Sequence, residues 1–131
     1  MKYLDKSSIF AAVDTRFEDV SVPEWGGQVR VKAISGAERD AFEAGIAQQN
    51  GKGVRMNMQN IRARLVGLAC VDEEGKRIFS DSDVTALGQK SAVVLDRIFG
   101  VAQRLAGLGA KDIENLTENF TNGQNGNSTS A

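Results

Sequence analysis

The chain has no histidine among its 131 residues, and only one proline, one tryptophan, one tyrosine and one cysteine. Without histidine there is no imidazole base, no conventional serine or cysteine triad and no typical zinc site. One thiol, Cys70, cannot close an internal disulfide, which points to a reducing compartment. Its neighbours Leu68, Ala69 and Val71 are apolar, so Cys70 reads as a core residue. Neither sign of charge is in excess. The net charge is −1, so no global field draws in nucleic acid or an anionic membrane. No apolar run approaches the ~20 residues of a membrane helix. The opening MKYLDKSSIFAAVD is broken by Asp5 and Lys6, unlike a signal peptide. A soluble cytoplasmic protein is expected, with no catalytic centre, metal or cofactor.

What is present fits one modest core. The chain is 41% hydrophobic and 25% charged, ordinary usage for a globular domain. Residues 6–13 can make one or two helical turns capped by Asp5 or Ser7. In RFEDVSV (16–22), alternation sets Phe17, Asp19 and Ser21 against Glu18, Val20 and Val22. In QVRVKAI (28–34) it sets Val29, Val31 and Ala33 against Arg30, Lys32 and Ile34. The two runs flank Pro-Glu-Trp-Gly-Gly and predict a β-hairpin, with Gly26 and Gly27 free to take positive φ. Ser35-Gly-Ala-Glu38 fits a capping box at the head of a helix over 36–49, whose apolar face carries Phe42 and Ile46. A loop is expected at 50–55 and a helix over 56–71, with Met58, Ile61, Leu65, Leu68 and Ala69 on one side. Asp72 to Gly75 reads as a turn, after which Lys76 to Phe79 pairs back. Ser80 starts a short helix. Ser91 starts the last long one, running to about Leu108 with Val94, Leu95, Ile98 and Ala102 inward and Gly107 at its end. Residues 111–120 suit one more short helix, and the apolar-poor stretch 121–131 suits a disordered tail. The expected fold is therefore α+β: a single domain over 1–120, mostly helical, with one N-terminal hairpin and four to five helices.

Candidate chemistry is sparse. GIAQQNGK (45–52) superficially suggests a phosphate loop. It has five residues between its glycines where the motif needs four, and it follows a helix where the motif follows a strand. Asp72, Glu73, Glu74, Asp81 and Asp83 lack calcium-loop spacing and suit a turn and a helix start. No acidic residue occurs between Glu43 and Asp72, a window holding Lys52, Arg55, Arg62 and Arg64. That basic window suits an acidic protein or RNA, or is simply a solvated helix face. Without interleaved aromatics it gives little support to nucleic acid. Trp25 either anchors the hairpin onto the following helix or stands at the tip as a partner contact.

The pieces VPEWGGQV (22–29), SGAERDAFE (35–43), the Arg-Leu-Val helix running into DEEGKRIFS (72–80) and KDIENL (111–116) come in this order. Together they resemble the tail assembly chaperones of long, non-contractile-tailed bacteriophages. The resemblance implies a non-catalytic factor of the host cytoplasm, absent from the mature virion. It implies binding to the tape measure protein, which is kept soluble, and help in recruiting tail tube protein around it. Such genes often give a second product by ribosomal frameshifting, and Glu118-Asn119-Phe120 permits a slippery codon run. Candidate contacts are Trp25, Arg55, Arg62, Ile113, Leu116 and Phe120. Self-association is a further expectation, because coating a long partner takes many copies. The other readings are a structural virion component, such as a head–tail connector or tail completion protein, and a small nucleic-acid-binding regulator.

Overall fold

In chain order the elements of this computed structural model are α1 (Lys6–Ala11), β1 (Phe17–Val22), β2 (Gly27–Lys32), α2 (Gly36–Ile46), β3 (Ala47–Asn50), β4 (Gly53–Met56), α3 (Ile61–Ala69), β5 (Cys70–Val71), α4 (Val84–Leu87) and α5 (Ala92–Leu105). Short 3-10 turns lie at Pro23–Trp25 and Asp81–Asp83. Residues 2–50, 53–56 and 60–108 are described, with the backbone alone for 47–50 and 53–56. The expected helix at 111–120 and tail at 121–131 lie outside them.

The predicted hairpin forms in unbroken antiparallel register, from Phe17 opposite Lys32 to Val22 opposite Gly27. Pro23 opens the connecting turn, where its missing N–H costs nothing, and Gly26 closes it at φ +80°. Gly27 needs no such freedom, because it already begins β2. The capping box is complete. The Ser35 amide donates to the Glu38 carboxylate at 2.9 Å, and the Glu38 amide donates to the Ser35 hydroxyl at 3.2 Å. Lys32 at the end of β2 holds the same carboxylate at 2.9 Å, tying strand to helix.

Three helix boundaries depart from expectation. The helix expected over 36–49 stops at Ile46, and Ala47–Asn50 pairs antiparallel with Gly53–Met56, so a second hairpin replaces the expected loop. Ala47, Gln48 and Gln49 favour helix locally, and strand pairing overrides that weak preference. The helix expected from Met56 begins only at Ile61, because Met56 belongs to β4 and Asn60 turns left-handed at φ 58°. It also ends early. Cys70 and Val71 leave it to pair with Val31 and Arg30, making the sheet order β1-β2-β5. Beyond them Gly75 turns at φ +85° and the chain pairs back, Val71 opposite Arg77, as expected for 76–79.

One cluster joins Val20, Val22 and Val31 of the inner sheet face to Phe42 and Ile46 of α2, and to α3 and α5. α3 is buried almost all round, through Ala63, Leu65, Val66, Gly67, Leu68 and Ala69, and so forms the centre. α5 contributes Val94, Leu95, Ile98 and Ala102, the stripe its periodicity predicts. Cys70 is buried among them, and burial pushes its thiol up to about 12, far from a reactive thiolate at neutral pH.

Candidate partner-binding surface

The hairpin tip is fastened to α5. Arg97 on that helix grips Glu24 bidentately at 2.8 and 2.7 Å and also donates to the Ser21 carbonyl at 3.4 Å. Farther along α5, Arg104 holds Glu18 at 2.9 and 2.7 Å. The two-nitrogen fork of Arg97 matches carboxylate geometry, Arg104 gives a single nitrogen to both Glu18 oxygens, and together they fix β1 and its turn on the helix. Trp25, next to Glu24 in the turn, is half-buried. It packs on the core edge and has the Lys90 ammonium 5.9 Å from its ring centroid. Trp25 is thus partly packed and partly open to solvent, beside a cation. The turn's ion-pair tie runs to α5, not to the helix that follows the hairpin in sequence.

That tie has a pH signature. Hydrogen bonding from the Arg97 guanidinium holds the Glu24 carboxyl at about 2, against an ordinary value of 4.5. A depressed carboxylate contributes stability above its unfolded value and loses it as pH falls through the folded one. Glu24→Gln is therefore expected to melt below wild type at pH 7. The gap should close between about pH 4.5 and 2. Thermal melts across this range test it, and a gap that persists undiminished at the acid end would refute the pairing.

The basic window does not form a bare cationic stripe over its described part. Arg62 pairs with Asp96 of α5. Arg64 lies across α2, its guanidinium 3.0 Å from where a Cβ on Gly45 would stand. Arg55 sits on β4 opposite Gln48. Trp25, Arg55 and Arg62 thus stand on the first hairpin's tip, the second hairpin and α3, respectively. Ile113, Leu116 and Phe120 lie outside the described residues. The acidic residues serve local structure. Asp72 accepts the Glu74 and Lys76 amides at 2.8 and 3.0 Å, and Asp83 accepts the Ser80 amide at 2.8 Å. Backbone hydrogen bonds accordingly hold both carboxyls below their usual range. Among the described residues no group of three or more His, Cys, Asp or Glu could hold a metal ion.

Sequence reasoning missed two surface features. Tyr3, Leu4, Ile9, Phe10 and Val13, on and around α1, are exposed. On the outer sheet face Phe17 and Ile78 are half-exposed beside a shallow groove of about 500 Å3 that includes Asp19, Arg30, Val71 and Glu73. The alternation set Phe17 on the face opposite Val20 and Val22 without saying which face is exposed. The apolar content of 3–13 was visible, but not its lack of a partner.

The arrangement defines a small α+β module with a three-stranded antiparallel sheet laid on helices and apolar side chains displayed outside its core. A family model described as phage tail assembly chaperone matches residues 7–119, and the chain belongs to that family. The resemblance read from the hairpin and SGAERDAFE segments is thereby borne out. The structure of the bacteriophage HK97 tail assembly chaperone is similar in fold, with a TM-score of 0.52 and 18% identity over 70% of this chain and 85% of that one. A search of curated proteins finds no match. A phage assembly chaperone acts in the infected host cell. No helix among the described residues is long and apolar enough to cross a membrane.

Proposed function

We propose that this chain is a non-catalytic chaperone that binds the tape measure protein of its phage, keeps it soluble and helps gather tail tube subunits around it. The family match over residues 7–119 carries the reading. Large apolar side chains held at the surface support it, because shielding an aggregation-prone helical client needs apolar contact. Trp25, Arg55, Arg62, Ile113, Leu116 and Phe120 are the candidate contacts. The chaperone works in the host cytoplasm and leaves before the virion matures. A longer product of the same gene, made by ribosomal frameshifting, belongs to the same reading.

Co-expression with the tape measure protein tests this directly. The tape measure protein is expected to move from the insoluble to the soluble fraction and to co-purify with the chaperone. Failure on both counts would sink the reading. Mass spectrometry of purified virions provides the second check. Stoichiometric presence of this chain would make it a structural component instead.

A further inference from the structure

α1 is a formed helix with nothing beneath it. Asp5 caps it by accepting the Ser8 amide at 2.8 Å, and the Ile9 amide closes onto the Asp5 carbonyl at 3.0 Å. Yet none of its residues is buried. Six residues make only ~9 Å of helix, and isolated helices below ~12–15 residues are marginal in water. Such a helix needs an apolar support. It has the side chains for one: Tyr3 is 101% exposed, Val13 93% and Phe10 80%, with Leu4 and Ile9 also more than half exposed. At ~150–200 Å2 per large apolar side chain, the segment offers roughly 600 Å2, the scale of an interaction patch.

The same chain carries exposed apolar side chains on its sheet, with the Arg30 guanidinium 6.0 Å from the Phe17 ring centroid. The outer face of the β1-β2-β5 sheet presents Phe17 and Ile78, both half-exposed, around the groove floored by Val71. Its rim is net acidic. Arg30 is occupied by Asp19 at 3.0 Å, which leaves Asp72 and Glu73 to set the sign. Lys2 and Lys6 outweigh Asp5 in the 2–13 segment, and its net positive charge complements that rim.

We propose that residues 2–13 are an exchange arm that seats on the outer sheet face of a second copy of this chain. Both halves of the contact, an apolar arm and a groove in which Val29, Val71 and Ile78 lie within an acidic rim, belong to one sequence, which is the condition for self-assembly. The arm's roughly 600 Å2 with a similar area on the groove gives about 1,200 Å2, the lower bound of a specific interface, and reciprocal exchange doubles it. Residues 12–16 span up to ~17 Å when extended, enough to carry α1 clear of its own sheet. Self-association and tape measure binding draw on the same exposed apolar side chains, yet each has its own readout, so the failure of one is distinguishable from the failure of the other.

Sedimentation equilibrium of the full chain from about 1 to 300 μM reads the association. Wild type is expected to associate with a Kd in the micromolar range. Phe10→Ser/Val13→Ser should weaken it at least tenfold while leaving the melting temperature of the dilute monomer unchanged. Ile78→Glu should weaken it similarly from the groove side. Mixing the arm variant with the groove variant should restore a one-to-one complex, because one copy keeps its groove and the other its arm. Wild type that stays monomeric throughout, or an arm variant that associates like wild type, would overturn the proposal. A lowered monomer melting temperature in the arm variant would instead place the arm on its own chain. A mixture that stays monomeric would remove the groove as acceptor.

Discussion

Phe42→Ala is expected to lower the melting temperature by on the order of 10–15 °C, whereas Phe10→Ala in dilute solution leaves it nearly unchanged. The two phenylalanines differ in what surrounds them. Phe42 is 1% exposed and lies in the cluster joining α2 to the sheet, α3 and α5. Truncating a buried Phe to Ala costs about 3–5 kcal/mol, the lost transfer energy plus the cavity left behind. That is a large share of the 5–15 kcal/mol that holds a domain of this size. Phe10 is 80% exposed on a helix with no buried residue, so its truncation removes nothing from the monomer. Melting followed by circular dichroism at micromolar concentration, on both variants, gives the comparison. A Phe42→Ala protein melting within about 3 °C of wild type would mean that α2 does not close the core.

The parts of this fold that sequence made legible are those governed by local rules. The Val-x-Val alternation, Pro23 and Gly26 specify the hairpin without help from the rest of the chain. Ser35 and Glu38 specify their own helix start. The α5 stripe follows from spacing alone. The parts that were not legible depend on distant pairing. Nothing local separates Cys70 and Val71 from the helix before them; they become strand because β2 offers an edge. Likewise Ala47, Gln48 and Gln49 continue a helical pattern until β4 pairs with them.

The surface follows the same division. Trp25 was legible as a turn residue because the turn is local. Its setting was not, because Arg97 reaches Glu24 from 73 residues away. The basic window of 52–64 looked like a patch along the sequence. In the fold Arg62 meets Asp96, and Arg64 crosses α2, so over the described side chains the linear charge does not become a bare cationic stripe. The exposed arm was hidden for the opposite reason. Its apolar residues follow a helical pattern that normally signals burial, and pattern alone cannot report that the core has no place for them.

Val31→Asp is expected to unfold the protein at pH 7 and to recover partly on acidification. Val31 is fully buried on the central strand, with Glu18 opposite it on β1 and Cys70 opposite it on β5. Glu18 is itself a carboxylate, and a thiol carries no positive charge, so neither neighbour neutralises the new charge. Burial raises a carboxyl by about 3–5 pKa units, at 1.36 kcal/mol each, which is about 4–7 kcal/mol against the charged form. Losing the Val side chain adds about 1.5–3 kcal/mol. The sum rivals the stability of the whole domain. Because the folded value lies above the unfolded one near 3.9, the native state binds the extra proton. Stability then falls by up to about 1.4 kcal/mol per pH unit as pH rises between the two values, and returns as pH drops. Denaturant titrations at pH 5 and 7 should show Val31→Asp gaining stability on acidification relative to Val31→Asn. The asparagine has a similar volume and polarity but no titration. Parallel curves for the two variants at both pH values would mean that the aspartate reaches solvent and that the inner sheet face is not sealed at Val31.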